Sequence, residues 1–425
     1  MKFLFILAVI VALSSSVKAV YPNFHHHGHP DYSRTTPTPT TPVSSSWGSG
    51  STKTPTPSAT TTLLARSSSN ASNSFTHPGV FLSSAQLDYI SSKVAASAQP
   101  WATAYQAMAD DDLASRASPT PYATVSSDSS SDAELDDSLA AYLNALAWVI
   151  TGVESHAERA INFMNSWSNT IQSHGGTNAP LQAGWAASSW TRAAEIIRYT
   201  DAGWASADIS AFEEMLRDVY LPEVIVGSDF NGNWELVMME AALGISVFIE
   251  NRTSYNIAMD KFLNRAAAYV YLNSDGALPN AVDIDSEDEL ISYWYDQTTF
   301  VNGLSQETCR DFGHVGYGIA SISHVAETSR IQGRDLYEEE IGKRLRYALE
   351  FHSKYENGAS VPEWLCDGTV NLGLREGTEP GLNALSYRLG YTMNETEIYT
   401  KSLRPQHSNG VFVGWETLTH YENDA

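Results

Sequence analysis

From Thr76 onward, apolar residues recur at helical spacing between turn signals, and alternating strand patterns are scarce. SSAQLDYISSKVAA places Leu87, Ile90 and Val94 behind a Ser cap, and LAAYLNALAWVITG runs to Gly152, a natural helix stop. WTRAAEIIRYT, DISAFEEMLRDVYLPEVI, NWELVMMEAALGISVFIE, IAMDKFLNRAAAYVYLN, HVGYGIASISHVAETSRIQG and EEIGKRLRYALEFHSKY continue the series. The pattern predicts an all-α body of successive antiparallel helix pairs, which must either stack as a solenoid or close as an (α/α) toroid. No short fixed repeat is visible, which favours a toroid (an incomplete α/α barrel) forming one domain over residues 76–425.

The first 75 residues follow other rules. Met1-Lys2, the apolar run Leu4 to Leu13 and the small-residue site Val17-Lys18-Ala19 have the layout of a signal peptide over residues 1–19. Residues 20–75 are dominated by Thr, Pro and Ser, with almost nothing to bury, and read as a disordered, O-glycosylated stalk or linker. The expectation is a secreted, extracellular, monomeric product without a membrane span, carrying N-glycosylation sequons at Asn70, Asn251 and Asn394. His25, His26, His27 and His29 lie in the stalk without groups to orient them, so no metal is expected there.

Composition narrows the partners. A net charge of −24 removes the electrostatic footprint of a nucleic-acid binder. Cys309 and Cys366 are the only cysteines, too few for a disulfide scaffold or a cysteine-rich zinc site. A secreted chain permits them to pair, and both the paired and the free state remain open at this point.

Candidate chemistry concentrates in two stretches. If Gln306-Glu-Thr-Cys-Arg-Asp-Phe-Gly-His-Val-Gly-Tyr317 is a helix, Gln306, Arg310, His314 and Tyr317 share one stripe, opposite the apolar Val315, Ile319, Ile322 and Val325. Such a stripe is ordinarily a solvated face, but those faces use Lys and Glu, whereas this one offers a cation, an imidazole, an amide and a phenol. Gly313, Gly316 and Gly318 suggest a close approach to the backbone. In the second stretch, Asn233 stands as an N-cap ahead of Trp234, Glu235 and a long apolar helix. Capping alone accounts for Asn233, yet amides and an indole at a helix mouth also suit a sugar.

NxxNWE, QETCRDFGHVGYG, LQAGWAASSWTRAAEII, LSYRLGYT and GWETLTH together resemble secreted lyases of the alginate-lyase-like α/α-toroid superfamily, polysaccharide lyase family 38 (glucuronan and alginate lyases) in particular. The resemblance spans Thr76 to Tyr421 and implies an enzyme, a carbon–oxygen lyase acting on an anionic polysaccharide without cofactor or metal. In that family an Asn and a His open one helix, and an Arg precedes a catalytic Tyr by seven. Here Asn233, Arg310 and Tyr317 match those positions, whereas Trp234 replaces the His, so His314 supplies the imidazole.

β-Elimination explains these residue types. The C5 proton of a uronate is scarcely acidic while the adjacent carboxylate is negative, so Asn233 with His314 or Arg310 neutralises it and Tyr317 acts as base and then acid. A phenol titrates at about 10 in water, which requires cationic neighbours near neutral pH. Subordinate substrate contacts are expected from Gln306, Glu235, Trp234, Trp185, Arg192, Tyr387 and Arg388, with Trp190, Tyr293, Trp294, Tyr295 and Trp415 as further stacking candidates. Two other functions compete: an inverting glycoside hydrolase using Glu235 and Asp311, and a non-catalytic wall-glycan-binding protein.

Overall fold

The computed structural model describes residues 74–425; the signal-peptide segment, nearly all of the Ser/Thr/Pro stretch, the four stalk histidines and Asn70 lie outside the described residues. The helices are α1 (Ser84–Ala95), α2 (Trp101–Ala109), α3 (Ser129–Thr151), α4 (Glu154–Ser168), α5 (Ala179–Arg198), α6 (Ser206–Met215), α7 (Leu221–Val224) and α8 (Gly232–Phe248). They continue with α9 (Arg252–Tyr269), α10 (Glu287–Tyr293), α11 (Phe312–Ile331), α12 (Glu340–Glu356), α13 (Glu379–Leu382), α14 (Asn394–Leu403) and α15 (Glu416–His420). Two two-residue strands, β1 (Thr124–Val125) and β2 (Ser173–His174), pair in parallel just ahead of α3 and α5.

Neighbour relations show a ring. α1, α3, α5, α8, α11, α13 and α15 each pack on the next, and α15 returns to α1. α2, α4, α6, α9, α12 and α14 run on the outside as returning partners, which makes the body the expected α/α toroid. Sequence explains which helices go where. α8 is apolar almost all round and nearly every residue in it is buried, as an inner helix requires. α9 buries only Tyr255, Ala258, Met259, Phe262, Arg265, Ala266, Ala268 and Tyr269, mostly the single stripe of an outer helix. α5 brings Ala183, Gly184, Ala186 and Ala187 to its neighbours, and a Cβ on Gly184 would stand 3.5 Å from the Met238 backbone of α8.

The expected stops and caps largely hold. Ser83 caps α1 in a capping box with Gln86, and Gly152 ends α3 at φ 66°. Two local expectations are corrected. α8 begins two residues earlier than a cap at Asn233 implies, with Asn231 at the N-cap position, so the Asn233 side chain is released from capping. α11 begins at Phe312, capped by Asp311; Gln306 to Arg310 form a run of turns rather than the first turns of a helix.

Inner helices separated by one returning helix are parallel, so α3, α5, α8 and α11 turn their N-termini to the same end of the ring. Seven residues along from Trp185, Asn233 and Tyr317, two turns and about 10 Å deeper, come Arg192, Glu240 and His324. These three meet in the core: Arg192 Nη2 lies 2.5 Å from Glu240, and His324 bonds Glu240 through Nδ1 (3.0 Å) and Glu416 through Nε2 (2.7 Å).

Burial disfavours the charge on His324, but Glu240 and Glu416 outweigh it and hold its pKa above 6.5; burial likewise acts against Glu240, whose pKa His324 and Arg192 bring below 4.5. His77, between Glu195 and Glu250, is also raised above 6.5 against its own burial, whereas buried His420 is pushed well below it. The raised pair stabilises the fold fully below pH 6.5 and loses that contribution as pH rises through their folded-state values. His420 and Glu240 remove stability on the acid side instead. A series of thermal melts is therefore expected to show the midpoint falling in both directions from about pH 6.5; a midpoint still rising toward pH 9 would contradict a charged His324.

Candidate active site

The site forms where α8 and α11 begin, around Glu307, a residue the sequence reading left unassigned. Its carboxylate is fully buried and accepts from Asn233 Nδ2 (2.8 and 2.7 Å), the Asn233 backbone N–H (3.3 Å), Tyr269 Oη (3.0 Å) and Arg310 Nη1 (2.6 Å). Two carboxylate oxygens seen from one amide nitrogen subtend an angle far smaller than the roughly 120° between its N–H bonds, so one Asn233 hydrogen is shared between them. The second hydrogen points elsewhere. Arg310, about one quarter exposed, keeps several of its five donors beyond those committed to Glu307. One buried anion thus orients a neutral and a cationic donor.

Tyr269 is the wedge that brings the two helix starts together. A Cβ on Gly232 of α8 or Gly318 of α11 would stand 2.4 Å from its ring. Gly316 is required by another part of the chain, since a Cβ there would meet the Leu374 carbonyl at 2.2 Å. The close approach signalled by the glycines of α11 is made by the protein itself. Burial, and then the Glu307 carboxylate, raise the Tyr269 pKa well above 10, so it serves as a fixed donor.

Asp311 caps α11 by accepting the His314 N–H (2.8 Å) and reaches His314 Nδ1 at 2.6 Å. Burial would raise the Asp311 pKa, but its bonds to His314 and its proximity to Arg310 hold it below 3.8. With Nδ1–H on Asp311, His314 carries Nε2 as an acceptor when neutral and a donor when protonated. Asp311→Asn keeps a good helix cap while weakening this orientation, so kcat should fall about ten- to a hundredfold with little change in the denaturation midpoint. An unchanged kcat in that variant would make Asp311 a cap only.

Tyr317, half-buried one turn on from His314, has its ring 6.0 Å from His314, 6.4 Å from Trp185 and 6.0 Å from Phe412. Phe412 comes from the 405–415 loop and was not anticipated; Arg192 holds its carbonyl at 2.8 Å from below. Tyr295 hydrogen-bonds Asn231 Oδ1 (3.0 Å) and shares the electrostatic environment of Arg310 and Glu307; burial, opposed by Arg310, pushes its phenol up to about 12. Tyr295 and Asp296 both hold left-handed backbone, at φ 58° and 61°, a strain that collects at functional sites.

A disulfide joins Cys309 and Cys366, 57 residues apart, and ties the turn carrying Glu307 and Arg310 to the loop after α12. Closing a loop of that length removes chain entropy worth about 4 kcal/mol. Of the two described sequons, Asn394 is exposed at the start of α14, and Asn251 caps α9 through Oδ1 on the Ser254 N–H (3.1 Å).

Arg310, His314, Tyr317, Asn233 and Trp185 therefore come together, although Arg310 reaches the site from the preceding turn rather than from a common helical stripe; Trp234, next to Asn233, packs instead on Phe230. Several expected substrate contacts are committed elsewhere. Gln306 is buried, donating to Asn231 (3.1 Å) and the Tyr293 carbonyl (2.6 Å) while accepting the Gly232 N–H (3.0 Å). Glu235 forms a buried ion pair with Arg265. Arg192 belongs to the core cluster beneath the site. Arg388 sits 3.5 Å from both Glu327 and Asp335, toward the far end of α11, and Tyr387 packs on Tyr421 and meets Arg404 at 3.4 Å. Trp190, Trp294 and Trp415 are core residues. The carboxyl pair of the hydrolase reading is likewise spoken for, Glu235 by Arg265 and Asp311 by His314. Among the described residues, no group of His, Cys, Asp and Glu could hold a metal ion, and no helix is long and apolar enough to cross a membrane.

The structure is similar to alginate lyase A1-III from Sphingomonas species A1, at 14% identity and a TM-score of 0.53, covering 79% of this chain and 94% of that one. An alginate lyase from Bacteroides ovatus matches at 13% identity and 0.53, over 81% of this chain and 99% of its own. A variant of A1-III complexed with a tetrasaccharide matches at 14% and 0.53, over 80% and 94%. At these identities the likeness is one of fold. No curated protein sequence matches the chain. The alginate lyase family model matches residues 98–361, a span that contains Trp185, Asn233, Glu307, Arg310, His314 and Tyr317 and stops before Phe412. With more than half of its length so matched, the chain belongs to the alginate lyase family, a family of polysaccharide lyases.

Proposed function

We propose that the protein is a secreted, monomeric lyase that cleaves a polyuronate, β-1,4-glucuronan first and alginate or polymannuronate second, by β-elimination. The observation that carries the reading is Glu307 presenting Asn233 and Arg310 beside His314 and Tyr317. Asn233 and Arg310 donate to the C5 carboxylate and stabilise the dianionic enolate that forms as the proton leaves; His314, its Nδ1 held by Asp311, donates from Nε2 in its protonated form. Tyr317 as phenolate takes the C5 proton, the electron pair forms the C4–C5 double bond, the C4–O4 bond breaks, and the phenol returns the proton to O4. No redox partner enters this balance.

A chain of net charge −24 must still attract a polyanion. Support comes from the parallel inner helices, whose N-termini, each equivalent to about half a positive charge, converge at this end of the ring and add to Arg310. The glucuronan preference rests on the sequence resemblance described above, and the polyuronate class also on tetrasaccharide binding by a related alginate lyase. Incubation with glucuronan, polymannuronate and polyguluronate, followed by near-ultraviolet absorbance, tests it directly: an elimination product carries a C4–C5 double bond conjugated to the carboxylate. Shortened products without that absorbance, or binding without shortening, would overturn the proposal.

A further inference from the structure

Phe230 is about half exposed, with its ring 4.6 Å from that of Trp234 and tilted by 43°, so the two make one apolar shelf. A single exposed aromatic is ordinary on a protein surface. Here the backbone of the loop that carries it is held at three carbonyls. Lys261 Nζ holds the Val226 carbonyl (2.8 Å), Arg265 Nη2 that of Ser228 (3.0 Å) and Tyr293 Oη that of Phe230 itself (2.8 Å). Asn231 Oδ1 accepts from Tyr295 Oη (3.0 Å) and Gln306 Nε2 (3.1 Å). Arg265 is in turn fixed by Glu235, one residue after Trp234.

The shelf adjoins the catalytic layer. Asn233 turns inward onto Glu307, and Trp234, about 100° further round the helix, turns outward to meet Phe230. A pyranose ring has an apolar C–H face, and stacking on it is indifferent to the repulsion between a polyuronate and a protein of charge −24.

We propose that Phe230 and Trp234 form a stacking subsite for a sugar ring of the polymer beyond the pair flanking the scissile bond, giving affinity that survives high salt. This deepens the polyuronate reading and rests on it. The test is affinity electrophoresis of the full chain in gels containing glucuronan, polymannuronate or a neutral β-glucan, at low and high salt, in a Tyr317→Phe background that spares the polymer. Phe230→Ala should weaken polyuronate binding about five- to tenfold, with a larger fractional loss at high salt, and Phe230→Tyr should restore it. Because Phe230 is about half exposed and lies outside the core, melting temperature should stay within a degree or two of the parent. Equal retardation of the Phe230→Ala and parent proteins at both salts would overturn the shelf. Retardation of the parent by the neutral glucan alone, lost in Phe230→Ala, would uphold the shelf and sink the polyuronate assignment instead.

Discussion

Tyr317→Phe is expected to bind polyuronate with near-normal affinity and to generate almost no unsaturated product. The substitution removes one oxygen and keeps the ring that packs among Trp185, His314 and Phe412, so folding should be intact. Loss of a general base typically costs 10²- to 10⁴-fold, and in the proposed mechanism the same oxygen also returns the proton to the leaving group, which places the expected fall in kcat at the upper end, about 10⁴-fold. The split between kcat and affinity is the diagnostic. A variant that loses binding and turnover together would mean the phenol holds substrate, and substantial eliminase activity would remove Tyr317 from the chemistry altogether.

Glu307→Gln should be the most damaging substitution among residues proposed not to touch substrate. Asn233, Tyr269 and Arg310 all donate to this buried carboxylate. Gln offers one acceptor and turns an N–H₂ toward groups that are themselves donors, leaving at least one donor opposed and Arg310 without its counter-charge. Breaking one side of a buried pair costs about 3 kcal/mol, and kcat/KM should fall at least 10²-fold because Asn233 and Arg310, both proposed to bind the substrate carboxylate, lose their orientation. Denaturant melts and steady-state kinetics on one preparation separate the effects: reduced stability with normal kcat would make Glu307 a folding residue alone. Glu307→Asp is expected not to rescue, since the shorter side chain cannot span all three donors.

How far the sequence reaches is seen best at α11. Its apolar positions Val315, Ile319, Ile322 and Val325 are buried, and His314 and Tyr317 stand side by side at the candidate site, as helical spacing implies. The same spacing carried the helix too far upstream. Nothing local distinguishes Gln306 to Arg310 from a first helical turn; Asp311 is a capping residue, but recognising it as the cap means weighing it against continuation of the stripe. Glu307 itself was invisible for a related reason. An acidic residue in a polar stretch reads as a solvated charge, and its burial depends on donors from α8, α9 and the preceding turn, up to 74 residues distant in the chain.

Asn233 and Arg192 show opposite outcomes of one ambiguity. Each is a polar residue in or beside an apolar helix, suited equally to a site or to a structural bond. Asn233 is freed for the site because the cap position falls at Asn231, while Arg192, two turns below Trp185 on the same helix, is sealed under Phe412 against Glu240. A periodic pattern assigns a residue to a face of its helix but not to a depth along the ring axis, and depth separates the layer of the candidate site from the charged layer beneath it. The all-α class, the helix pairing and the residue types fit for elimination were thus determined by the sequence alone, because they depend on spacing and side-chain chemistry within one or two turns. The ring closure, the committed carboxylates and the order in which Glu307 organises its donors were decided by tertiary structure, because each requires partners that only packing brings within 3 Å.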